Sequence, residues 1–76
     1  MSVEELNTII ESNPKIDIPE DFGSDGNALA LIVSVKRGLK KAGWSKEHIE
    51  YWQETALSGD YQNVLRTCFS VFSQDQ

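Results

Sequence analysis

The sequence predicts a small all-α domain, and three observations carry that prediction. Apolar residues recur every three to four positions in four separate stretches, which is the period of a helix with one buried face. Residues that start or stop helices bound these stretches, and the turns between the last three are short enough for neighbouring helices to pack together. The predicted architecture is a compact three-helix core at about 27–42, 46–57 and 61–72, preceded by a helix at about 3–12 and an extended connector.

The first predicted helix begins with a capping box, in which Ser2 is followed three residues later by Glu5. Its apolar face contains Val3, Leu6 and Ile10. Pro14 ends the helix, because proline disfavours helical backbone in the residue before it. Residues 1–23 therefore form an N-terminal arm, and residues 24–72 form the helical core of a single domain.

The connector after this helix is predicted to be partly extended. Ile16 and Ile18 alternate with charged residues, and Pro19 confines such a stretch to an edge or a turn. Phe22 is the predicted anchor of the connector in the core.

Turn and cap residues define the three core helices. The predicted cap and turn residues are Asp25, Gly26 and Asn27 before the second helix, Gly43 after it, Ser45 before the third, and Ser58, Gly59 and Asp60 before the fourth. Either glycine-containing turn could also expose backbone N–H groups to an anion. A rigid cap is the simpler interpretation of both.

Each core helix has an apolar stripe that predicts its buried face. The stripes are Ala28, Leu31, Ile32, Val35, Leu39 and Ala42 in the second helix, Ile49, Trp52 and Ala56 in the third, and Tyr61, Val64, Leu65, Cys68, Phe69 and Phe72 in the fourth. Trp44 and Ile49 flank the predicted cap at Ser45 with the spacing of a hydrophobic staple.

Charge is distributed unevenly along the 76 residues. The net charge is −5, yet five of the seven lysines and arginines lie within residues 31–48. A net negative charge argues against duplex DNA as a partner, because phosphate neutralisation drives that affinity. No apolar run reaches the length of a membrane span, and the acidic N-terminus does not resemble a targeting signal. We expect a cytoplasmic protein that meets no membrane.

Three motifs occur in a fixed order along the chain. They are Asp25-Gly26-Asn27-Ala28-Leu29, then Arg37-Gly38-Leu39-Lys40-Lys41-Ala42-Gly43, then Ser58-Gly59-Asp60-Tyr61 followed by Val64-Leu65. Over about residues 23–72, this sequence resembles short proteins of phages and other mobile elements with the pattern D-G-N-A-F … A-L-x-x-A-G … S-G-D-Y-x-x-L-L. It differs from that pattern at Leu29, where the family usually has an aromatic residue. The resemblance implies a phage-type accessory protein aimed at host defence, acting in the host cytoplasm, and implies no particular mechanism.

Nothing in the sequence suggests catalysis. His48 has no nucleophile and orienting partner at a suggestive spacing, and one histidine with scattered carboxylates is not a metal-ligand set. The lone Cys68 lies within an apolar stripe and is expected to be a small buried hydrophobe. We therefore predict a non-enzymatic protein without a cofactor or a metal.

The outward face of the second helix is the most informative surface. Leu29 and Val33 lie on its first half, and a basic cluster of Lys36, Arg37, Lys40 and Lys41 lies on its second half. Two interpretations are open. The N-terminal helix and Phe22 cover Leu29 and Val33, or these two residues form a binding or self-association surface.

Two functions follow from this surface. In the first, a homo-oligomer sequesters an anionic nucleotide, such as a cyclic nucleotide signal, in a pocket between protomers. The predicted ligand-binding residues are Lys36, Arg37, Lys40, Lys41, Arg66, Tyr51 and Trp44, and the predicted interface residues are Leu29 and Val33. In the second, the chain is a protein–protein interaction module that inhibits or caps a host or phage protein.

Overall fold

A computed structural model describes residues 3–24 and 26–73, which form four α-helices. These are α1 (Val3–Glu11), α2 (Ala28–Ala42), α3 (Lys46–Ala56) and α4 (Tyr61–Ser70). Helices α2, α3 and α4 pack against one another in pairs, and α1 packs against α3. The predicted all-α fold with a three-helix core is confirmed. The predicted cap roles of Ser2 and Asp25 lie outside the described residues, and no helix within them is long and apolar enough to cross a membrane.

The helices begin and end at the residues whose chemistry favours it. Asn27, Ser45 and Asp60 each accept a hydrogen bond from a backbone N–H in the first turn of the following helix, over 2.8, 3.2 and 3.0 Å. Gly43 ends α2 in the left-handed conformation, with φ of 98°. These four predicted caps are confirmed.

The turn between α3 and α4 is also structural. Ser58 Oγ donates to Thr55 O over 2.7 Å, and Asn63 Nδ2 donates to the carbonyls of Thr55 and Ala56 over 2.9 and 3.2 Å. A Cβ at Gly59 would lie 2.9 Å from the Asn63 Cβ, so the turn needs glycine to bring α4 this close. The predicted rigid corner at 58–60 is therefore a device that fixes α3 against α4.

Trp52 is the largest fully buried side chain of the core. The buried apolar residues are Leu6, Ile10, Ile16, Leu31, Ile32, Val35, Leu39, Trp44, Ile49, Trp52, Ala56, Val64, Cys68, Val71 and Phe72. Burying one large apolar side chain contributes about 1.5–3 kcal/mol. The Trp52 indole N–H donates to Thr67 O over 3.1 Å, and no buried side-chain polar atom in the described part of the chain lacks a partner.

The connector is held by one parallel bridge between Ile16 and Phe72. Ile16 N donates to Val71 O over 3.0 Å, and Ser73 N donates to Ile16 O over 2.6 Å. A Cβ at Gly38 would come 2.8 Å from the Ile16 Cδ1, so this glycine lets the connector lie directly against α2. Because Phe72 joins the bridge, α4 ends at Ser70, two residues before the predicted end.

Two aromatic residues of α4 are more exposed than their stripe predicted. Tyr61 and Phe69 are 45% and 46% exposed. Thr67 of α4 and Val71 directly after the helix are buried, so α4 is rotated relative to the prediction and one edge of the predicted stripe lies at the surface. The Tyr61 hydroxyl donates to Gly26 O over 2.8 Å, and the Phe69 ring packs edge-on against the half-buried Phe22 at 5.8 Å.

Candidate anion-binding site

A pocket of about 370 Å³ lies between the second half of α2 and the beginning of α3. Its lining residues, which define the lysine pocket, are Lys36, Lys40, Trp44, Lys46, Ile49 and Glu50. The four-residue spacing of Lys36 and Lys40 places both on one side of α2. The short turn after Gly43 returns the chain at once, so Lys46, the first residue of α3, faces the same pocket.

Trp44 and Ile49 form the apolar floor of the lysine pocket. The Trp44 indole N–H donates to Pro14 O over 2.8 Å, which fixes the ring against the start of the connector. Only 4% of the Trp44 surface is exposed, so this residue offers a ligand an apolar edge rather than a free ring face. The predicted stacking contact therefore has little surface available in a single protomer.

The lysine pocket carries an excess of positive charge. It contains three lysines and one carboxylate, that of Glu50. None of the three lysines forms an ion pair with a carboxylate in the ranges 3–24 and 26–73. A ligand that brings phosphate oxygens would therefore meet ammonium groups whose charge is not already neutralised.

The other side of α2 is a wider groove of about 870 Å³ against the connector. Its lining residues, which define the connector groove, are Ile16, Asp17, Ile18, Pro19, Glu20, Asp21, Ser34, Arg37, Gly38, Lys40 and Lys41. Here three carboxylates face three bases. Arg37 and Lys41, predicted to share a ligand with Lys36 and Lys40, thus lie on a different flank of the helix, and only Lys40 lines both depressions.

Asp21 joins the connector to α2 through two hydrogen bonds. Its carboxylate accepts from Ser34 Oγ over 2.6 Å and from Arg37 Nη2 over 2.9 Å. The Ser34 hydroxyl, followed by the charge of Arg37, lowers the pKa of Asp21 below its ordinary value. Arg37 is therefore already occupied within the chain.

Leu29 and Val33 are 61% and 51% exposed. They line a shallow depression of about 310 Å³ together with Asp21, Ser24, Ala30 and Arg37. The interpretation in which the N-terminal helix and Phe22 cover them is wrong. The first helix packs against α3 instead, and the Phe22 ring lies against the rings of Phe69 and Phe72.

The remaining predicted ligand residues lie elsewhere. Tyr51 is half-buried on α3, and its hydroxyl donates to Glu5 Oε2 over 2.8 Å. Arg66 is exposed on α4 and lines neither the lysine pocket nor the connector groove. Sequence reasoning missed Lys46 and Glu50 as pocket residues. The signal for Lys46 was its place at the first position of a helix that follows α2 after a three-residue turn.

His48 and Cys68, the two side chains most capable of catalysis or metal binding, have structural roles. His48 Nδ1 lies 2.9 Å from Asn13 Nδ2, which also donates to Ile9 O over 2.8 Å, so the pair ties the end of α1 to α3. Cys68 is fully buried, and burial raises its pKa to about 11, which suppresses the reactive thiolate. The described residues contain no group of three His, Cys, Asp or Glu residues placed to hold a metal ion.

No protein-family model matches the sequence, and no characterised protein or solved structure is significantly similar to it.

Proposed function

We propose that this chain is a non-enzymatic binding protein that sequesters a phosphate-bearing nucleotide in the lysine pocket, with a second protomer closing the open side. One observation carries the proposal. Lys36, Lys40 and Lys46 converge from two helices onto an apolar floor without forming ion pairs inside the described part of the chain.

The chemistry of the pocket favours a nucleotide over a bare anion. Ammonium groups bind phosphate as point charges, while the largely buried Trp44 and Ile49 offer an apolar edge that a base or a ribose can contact. Glu50, which also lines the pocket, can accept hydrogen bonds from an amino group or a ribose hydroxyl. A volume of about 370 Å³ lies at the lower end of the range for small-molecule sites.

A sequestering role also agrees with the resemblance to phage accessory proteins. Such a protein would lower the free concentration of a nucleotide signal in the host cytoplasm without chemically changing it. The buried Cys68 and the hydrogen-bonded His48 support binding without turnover. The function then depends on affinity and protein concentration, and it requires neither a metal nor a cofactor.

A thermal-shift series tests the proposal with cyclic, linear mono- and dinucleotides, and with inorganic phosphate. A ligand present at 100 times its Kd stabilises the native state by about 2.7 kcal/mol, so a true ligand raises Tm clearly. We expect one nucleotide class to raise Tm more than inorganic phosphate does, and the nucleotide to be recovered unchanged by mass spectrometry.

The matched variants are Lys36→Ala with Lys40→Ala, and Lys41→Ala alone. Lys41 lies on the same helix and carries the same charge, but it lines only the connector groove. The double variant should lose the nucleotide-dependent shift, and Lys41→Ala should keep most of it. The absence of a shift with every nucleotide, or an equal loss in Lys41→Ala, would contradict the proposal, and nucleotide turnover would contradict its non-enzymatic part.

The second candidate is a protein–protein interaction module. The exposure of Leu29 and Val33 on an outward helix face favours it, because exposed apolar residues grouped together mark interaction surfaces. A binding assay with host proteins, added to the thermal-shift series, separates the two candidates. A chain that responds to no nucleotide, but loses a stoichiometric complex with a host protein in Leu29→Asp, is an interaction module.

A further inference from the structure

The exposed face of α2 has two halves of different chemistry. Leu29, Val33 and Arg37 follow one another at four-residue spacing and form a strip along the helix, with Lys36 and Lys40 beside its second half. Residues 26–35 contain no charged side chain. We propose that this strip binds a second copy of the chain, with the two α2 helices antiparallel and the twofold axis at Val33.

Charge selects the antiparallel orientation. A parallel pair would place the basic cluster of one copy against the same cluster of the other. In the antiparallel pair, Lys40 lies level with residue 26 of the second copy. The two Lys40 Cα atoms are then 14 residues apart along the helix direction, or about 21 Å. This exceeds the screening length of about 8 Å at physiological salt.

A carboxylate lies near the beginning of α2, where the Lys40 of the second copy arrives. The hydrogen bond from Tyr61 to Gly26 holds the start of α4 there, and Asp60 is the residue that caps α4. The basic end of one α2 therefore approaches residues 57–65 of the second copy. Asp60 is the one charged residue in this segment.

The proposed register uses the whole strip, including Arg37. With the axis at Val33, the two Val33 side chains meet and each Leu29 faces the Arg37 of the second copy. The Arg37 guanidinium is held by Asp21 of its own chain, which leaves its aliphatic stem to cover Leu29. An axis at Arg37 would instead bring two guanidinium groups together.

The dimer also completes the lysine pocket, and this role rests on the proposed nucleotide binding. It brings the start of the second copy's α2 beside Lys40, at the rim of the lysine pocket, and so supplies the missing wall. Few large apolar side chains contribute to the interface, so the dimer should dissociate on dilution.

Native mass, measured by light scattering over a dilution series without nucleotide, tests the interface. We expect a dimer that dissociates on dilution, and Val33→Asp should raise its dissociation constant at least about tenfold, because a carboxylate would be buried at the axis. The control is Ile18→Asp in the connector groove, which should leave the dissociation constant unchanged. Ile18 is 56% exposed and Val33 is 51% exposed. A native monomer at every concentration, or a Val33→Asp dimer as stable as the native one, overturns the proposal.

Cysteine cross-linking tests the orientation. A disulfide requires Cα atoms within about 7 Å, so Val33→Cys should oxidise to a covalent dimer and Lys40→Cys should not. Cys68 is buried and does not compete. Cross-linking of both variants indicates a parallel pair, and cross-linking of neither excludes the axis at Val33, so either result overturns the proposal. A monomer that still binds nucleotide would refute the dimer and leave the lysine pocket as the binding site.

Discussion

The two flanks of α2, one facing the connector and one facing α3, carry similar numbers of basic side chains but differ in how many carboxylates balance their charge. On the connector flank, Arg37 and Lys41 lie in a groove that also contains three carboxylates, and Asp21 pairs directly with Arg37. On the α3 flank, Lys36 and Lys40 share a pocket with Lys46 and a single carboxylate. A basic cluster in sequence is therefore not yet an anion site, because the path of a neighbouring acidic segment decides which of its charges remain available.

The flanks also differ in what their residues do for the fold. The connector flank is a tertiary contact: Ile16 is buried against Gly38 and bridges to Phe72. The lysines of the α3 flank line a pocket whose buried floor consists of Trp44 and Ile49, so they are not part of the core. Changes on the connector flank should therefore reduce stability, and changes to the α3-flank lysines should reduce ligand binding with little effect on stability.

The largest effect should come from Ile16→Ala. Removing a buried isoleucine leaves a cavity and typically costs about 2–5 kcal/mol, which is a large part of the stability of so small a domain. Urea denaturation followed by circular dichroism measures the loss. Lys36→Ala and Lys40→Ala should each stay within about 0.5 kcal/mol of the native protein.

Ile18→Ala is the matched control for this prediction. Ile18 lies two residues further along the same connector, but 56% of its surface is exposed. Its loss should cost little. Equal destabilisation by Ile16→Ala and Ile18→Ala would mean that the Ile16 bridge does not hold the connector flank.

An intermediate effect is expected where the two flanks meet the N-terminal arm. Trp44→Phe removes the indole donor to Pro14 O, and a hydrogen bond of this kind contributes about 0.5–1.5 kcal/mol. Trp52→Phe removes a comparable bond at a fully buried site, so it should cost more. Thermal unfolding of both variants compares them, and a greater loss in Trp44→Phe would show that the pocket floor supports the fold more than the core tryptophan does.

The parts of the fold that depend on local sequence were predictable. Asn27, Ser45 and Asp60 cap helices because a side-chain oxygen can reach the backbone N–H groups two or three residues ahead, and that spacing is visible in the sequence. The end of α4 was not predictable in the same way. Phe72 leaves the helix because it pairs with Ile16, 56 positions earlier in the chain, and no local pattern encodes that contact.

The candidate site divides along the same line. Periodicity placed the basic cluster and the surface of Leu29 and Val33 on the outer side of α2. That placement agrees with their exposure, except that Lys36 is half-buried. It could not divide the cluster into two flanks, because the division depends on Asp21 reaching Ser34 and Arg37 across 13 and 16 residues. The exposure of Tyr61 and Phe69 was missed for a similar reason, since the rotation of α4 is set by packing against other helices.

The smallest effect, and the most specific to the connector flank, concerns Asp21. Its pKa is lowered in the native state, first by the Ser34 hydroxyl and then by Arg37, so the carboxylate stabilises the fold at pH values above its unfolded pKa of about 3.9. That contribution is lost as the pH falls through the lower native pKa. The Tm difference between the native protein and Asp21→Asn should therefore be positive at neutral pH and shrink below about pH 4. Asp17→Asn, on the same connector and without the Ser34 bond, should show a smaller difference at neutral pH. NMR titration adds a sharper measurement: Ser34→Ala and Arg37→Ala should each raise the Asp21 pKa, and an unchanged Asp21 pKa in Ser34→Ala would mean that the ion pair alone holds the connector carboxylate in its charged form.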